Sequence, residues 1–80
     1  MKAKLIFDLE DKYDEEAHLR AVKSLDLAMT LYDMDQYLRS QTKYAPDSMS
    51  SEVCDALQET RDKLHELMNE RSIDLDKLIS

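Results

Sequence analysis

Eighty residues make one domain, and at this size folding removes only about 60% of the unfolded chain's surface from water, which leaves a marginal core. A formal charge of -7, from 18 acidic against 11 basic residues, argues against direct binding to nucleic acid or to an anionic membrane face, because each would meet like-charge repulsion. Charged residues at 36% beside apolar ones at 42% argue against disorder, and the absence of glycine with a single proline favours helix, since few positions can make tight turns.

The lone Cys54 excludes an intrachain disulfide and fits a reducing compartment. No apolar run reaches eighteen residues, and the first residues lack the long apolar run of a signal peptide. A cytoplasmic protein is expected.

Residues 1–9 alternate, with Leu5, Phe7 and Leu9 on one side and Lys4, Ile6 and Asp8 on the other. That period predicts a short β-strand, which would pair with its copy in a second chain or with a partner's sheet edge. The other reading is an extended arm laying the three apolar side chains on the helices. The following stretch, Asp8 to Glu16, holds six acids. Asp14 can cap a helix whose first turn holds Glu15 and Glu16, favoured by the positive end of the helix dipole. A calcium loop would need a glycine at its tight turn, and there is none.

The first helix is expected over residues 14–41, and its middle is apolar on several sides. Val22, Leu25, Met29 and Tyr32 form one seam at spacings of 3, 4 and 3. Ala17, Ala21, Ser24, Ala28, Leu31 and Leu38 form a second seam of mostly small residues, and Leu27, Leu31, Met34 and Leu38 a third. One neighbouring helix covers one seam, so the excess predicts a second copy of the chain, in coiled-coil style, across Ala21, Leu27, Ala28, Leu31, Met34 and Leu38. The alternative is a monomer in which the second helix and the N-terminal segment cover the rod together. Asp35 and Arg39 stand at i,i+4, a favourable pair.

Tyr44-Ala45-Pro46-Asp47 reads as a turn, because the residue before proline is pushed out of the α region. A second helix is expected over residues 50–70, capped by Ser50 and antiparallel to the first, with Met49 and Cys54 fixing the angle at its start. Its core stripe is expected at Val53, Leu57, Thr60, Leu64 and Leu67, with Met68 beside it. On the opposite side Glu52, Asp55, Glu59, Asp62, Glu66 and Glu70 make an acidic rail, interrupted nearby only by Arg61 and Lys63. The rail is either a negative surface for a basic protein groove or a solvated face. Residues 73–79 read as a final turn or as a strand pairing with Leu5 to Leu9. The expected fold class is therefore mainly α: an antiparallel helical hairpin with a short N-terminal β-strand or extended arm, assembled as a homo-oligomer.

No nucleophile elbow, glycine-rich phosphate loop or HExxH motif is present, and His18 and His65 fall on different helices. Catalysis, metal binding and cofactors are not expected.

Phe7-Asp8-Leu9 before an acidic run, Tyr32-Asp33-Met34-Asp35-Gln36-Tyr37-Leu38-Arg39, Lys43-Tyr44, and Arg61-Asp62-Lys63-Leu64 ahead of Ile73 cover most of the chain. Together they resemble a family of small helical proteins, of no assigned activity, encoded in bacteriophage genomes. The resemblance implies the cytoplasm of an infected bacterium and binding to a host component. Two functional readings follow from the residues. One is a self-associating protein that docks on a host or phage protein through the acidic rail or through Asp35, Gln36, Arg39 and Tyr44. The other is an oligomer holding a nucleotide-like signal, with Arg39 and Lys43 on an anionic group and Tyr37 and Tyr44 stacked on a base.

Overall fold

The computed structural model describes residues 1–80, which are 71% helical and contain three helices and no strand. The first helix, α1, runs Lys12–Lys43; the second, α2, Ser51–Glu70; the third, α3, Leu75–Ile79. α1 starts two residues earlier than expected because Asp11, not Asp14, is its N-cap. The Asp11 carboxylate accepts from the backbone N–H groups of Tyr13 at 2.8 Å and Asp14 at 3.4 Å. Asp14 lies in the first turn, and its carboxylate accepts from the Asp8 N–H at 2.9 Å, tying down the start of the chain. Met1 to Asp8 forms no strand, because no second edge lies beside it. It is an arm whose Phe7 ring meets His18 edge-on, with centroids 5.5 Å apart, while Leu5, Ile6 and Leu9 remain exposed.

The turn at residues 44–50 reverses the chain, with Met49 N–H donating to the Pro46 carbonyl at 2.9 Å. Ser50 caps α2 as expected, its hydroxyl accepting from Val53 N–H at 3.2 Å. α2 ends in a Schellman motif: Ile73 N–H donates to the Met68 carbonyl at 2.9 Å and Ser72 N–H to the Asn69 carbonyl at 3.1 Å. The motif needs a left-handed residue after the cap, and with no glycine available Ser72 takes φ 54°. Residues 73–79 then form a final turn rather than a strand, with Asp74 capping α3.

α1 packs against both α2 and α3. The packed positions of α2 are Cys54, Leu57, Arg61, Leu64 and Met68, spaced 3, 4, 3 and 4, with His65 beside them. The stripe expected from apolar residues is thus rotated: Val53 and Leu67 are exposed, and Arg61 and His65 turn inward. On α1 the matching positions are Ala28, Leu31, Asp35, Leu38 and Thr42, the small-residue seam with Asp35 filling its gap. Ala28 and Leu38, expected between chains, are instead buried within this one.

Only four residues are buried: Ala28, Asp35, Leu38 and Met68. The register in which Asp35 faces Arg61 and His65 places the end of α2 opposite Ala28, so residues 12–27 of α1 extend past it. None of those sixteen positions is buried. The molecule measures 56 × 30 × 20 Å, and its radius of gyration of 17.7 Å far exceeds the roughly 12 Å of a compact chain this long.

Candidate functional site

Asp35 organises the hairpin. It sits in the middle of the α1 seam, where an apolar residue would satisfy the spacing, and it is 7% exposed. Its carboxylate accepts from Arg61 Nε at 2.8 Å and Nη2 at 3.3 Å, from His65 Nε2 at 2.6 Å, and from its neighbour Gln36 at 3.4 Å. The Arg61 hydrogen bonds hold the Asp35 carboxyl below its ordinary value; burial opposes this and the His65 contact adds to it. In return, Asp35 raises the Arg61 guanidinium. No buried side-chain nitrogen or oxygen lacks a partner. A satisfied buried ion pair adds modest net stability, but any other register would strand a charge, so the triad selects one alignment of α1 on α2.

The sequence pattern placed Asp35 beside Arg39 on an outer contact surface. The structure puts it inside, paired with Arg61, and Arg39 forms no ion pair. Arg61 and His65 were missed as inward groups. The heptad spacing Cys54, Arg61, Met68 would have revealed them, had a charged residue been admitted to the seam.

Of the six candidate ligand contacts, Gln36, Arg39, Lys43 and Tyr44 come together with Ser40 around a recess of about 210 Å³. Lys43 Nζ stands 5.3 Å from the centre of the Tyr44 ring. Tyr37 is exposed and outside the recess, and Asp35 is committed to the triad. A larger cleft of about 500 Å³ opens where Tyr32 and His65 meet Met68, Ile73 and Asp74.

All six carboxylates of the rail, Glu52, Asp55, Glu59, Asp62, Glu66 and Glu70, are exposed. Lys63 pairs with Glu66 at 3.2 Å and Gln58 donates to Asp62 at 2.9 Å. Arg61, the other nearby cation, is drawn away to Asp35, so the outer side of α2 is more negative than its sequence implies.

The Val22, Leu25, Met29 and Tyr32 seam is open along its whole length, each side chain being 40% to 60% exposed. Of the residues expected between chains, Leu27 and Met34 are exposed as well, while Ala21 and Leu31 are half-buried. No group of three or more His, Cys, Asp or Glu side chains is arranged to hold a metal ion, and no helix is long and apolar enough to cross a membrane. Compared with protein-family models, with curated proteins and with solved structures, the chain matches none.

Proposed function

We propose that the chain is a non-enzymatic binding protein that self-associates through α1 and presents the acidic side of α2 to a basic protein, of host or phage in the setting its sequence resemblance implies. The observation that carries this reading is the open α1 seam. The chain exposes 7010 Å², whereas a compact protein of 9.4 kDa exposes about 5,000 Å², an excess of about 2,000 Å². An interface of standard size removes about 800 Å² from each partner, so the excess is ample for one.

Native mass spectrometry tests the first part: a multiple of the 9.4 kDa chain is expected, and Leu25→Glu, which places a charge in the seam, returns it to monomer. A monomer for the unaltered chain at micromolar concentration overturns the reading. For the second part, the immobilised chain is expected to retain basic proteins at low salt. Glu59→Lys with Glu66→Lys abolishes retention and leaves the assembly intact.

The recess formed by Gln36, Arg39, Ser40, Lys43 and Tyr44 supports a second reading, in which the assembly holds an anionic small molecule such as a nucleotide-like signal. Arg39→Ala would then release a bound mass of a few hundred daltons.

A further inference from the structure

We infer that the second copy lies antiparallel along the Val22–Tyr32 seam, about a two-fold axis at the level of Leu27, with the acidic first turn of each α1 against the basic last turn of the other. This rests on the self-association proposed above and specifies its geometry. Three observations lead to it.

The first is position. The seam from Val22 to Tyr32 is centred on Leu27, and α1 from Lys12 to Lys43 is centred within one residue of the same level. An antiparallel pairing about that level overlaps both helices fully and sets Leu25 against the partner's Met29 and Val22 against the partner's Tyr32. A two-fold relation of this kind is self-complementary and closes as a dimer.

The second is cover. Residues 12–27 extend past the end of α2, whereas the rest of α1 carries α2 and the contacts with the segment leading into α3. Antiparallel pairing lays each bare half beside the partner's covered half. A parallel pair would put the two thinly covered halves, each touched by its own arm at His18, side by side.

The third is charge. The start of α1 carries Asp11, Asp14 and Glu15, and its end carries Arg39 and Lys43, with no ion pair consuming any of the five. In the register fixed by Leu27, Asp11 falls at the level of the partner's Lys43 and Glu15 at that of the partner's Arg39. A parallel pair would stack acid on acid and base on base. The antiparallel one also opposes the two helix dipoles. It further gives the recess around Arg39 and Lys43 an occupant: the partner's acidic turn rather than an anionic ligand.

Disulfide trapping tests the arrangement. In a Cys54→Ser background, a Leu25→Cys chain and an isotope-labelled Met29→Cys chain are mixed, equilibrated in a thiol–disulfide buffer and weighed. The mixed disulfide is expected to predominate. Predominance of the Leu25→Cys homodisulfide overturns the antiparallel geometry and leaves self-association standing. An oligomer that forms no disulfide at either position overturns the seam as its interface. A monomer overturns both this inference and the self-association on which it rests. Independently, Arg39→Glu with Lys43→Glu is expected to weaken association about tenfold at low salt. Unchanged association would overturn the charge pairing.

Discussion

The two halves of α1 are helical for different reasons. From residue 28 onward the helix is held by its own chain: Ala28, Asp35 and Leu38 are buried, and Asp35 is gripped by Arg61 and His65. From Lys12 to Leu27 no side chain is buried, yet Leu19, Val22, Leu25 and Leu27 are large and apolar. Polar specificity thus sits in the half that folds against itself, whereas exposed apolar side chains run through both halves, with Met29, Tyr32 and Met34 continuing the series of Leu19, Val22, Leu25 and Leu27. One helix can therefore define its own tertiary register with a few charged groups and leave apolar area exposed.

The sharpest way to break this contrast is Asp35→Ala, which leaves Arg61 largely buried without its anion and costs about 3 kcal/mol or more. Urea denaturation at fixed protein concentration is the measurement, because self-association, as proposed, would make stability depend on concentration. Asp35→Leu with Arg61→Leu recovers most of the loss, since it removes the charge and its partner together. A cost below about 1 kcal/mol for Asp35→Ala would mean that the triad does not hold the covered half.

Acid probes the same group. The Asp35 carboxyl titrates below its ordinary value of 3.8 in the folded chain, chiefly because Arg61 donates to it. The unfolded chain therefore binds the proton first as pH falls. The contribution of Asp35 is fully present above that ordinary value and is lost as pH falls through the lower folded one. In Asp35→Asn this part of the acid-induced loss is expected to disappear, as read from denaturation midpoints between neutral and strongly acidic buffer.

The smallest effect lies at the end of α2. Ser72→Gly relieves a left-handed serine and is expected to stabilise the chain by about 0.5 to 1 kcal/mol, less than the strain removed because glycine also loosens the unfolded chain. Its effect should fall on α2 and α3 and leave residues 12–27 unchanged.

Much of the architecture was legible in the sequence. The two long helices, the turn at Pro46, the Ser50 cap and the small-residue seam of α1 follow from local chemistry that each stretch carries alone. What escaped was non-local. Asp35 and Arg61 each look like surface residues until the hairpin brings them together, and apolar periodicity therefore chose Val53, Thr60 and Leu67 over Cys54, Arg61 and Met68 as the inner positions of α2. The strand expected at Leu5 to Leu9 failed for a related reason: alternation shows that a segment could line a sheet, not that an edge exists to receive it. Of the candidate site, the rail was read correctly as exposed, but its excess charge came from Arg61 turning inward, which the sequence pattern did not reveal.

Under the self-association proposed above, the thinly covered half of α1 ties the lifetime of this protein to its abundance. Where copies are scarce, residues 12–27 are held by the Asp11 cap, the Asp8–Asp14 hydrogen bond, the Phe7–His18 contact and their own backbone hydrogen bonds, and with no buried side chain this segment is expected to open first. An opened segment holding three leucines, two lysines and an arginine offers several cleavage points to proteases. Where copies are plentiful, mass action closes the segment and protects it. Degradation would then remove the chain fastest when there is least of it, so that the protein accumulates above a threshold and vanishes below it without any dedicated regulator.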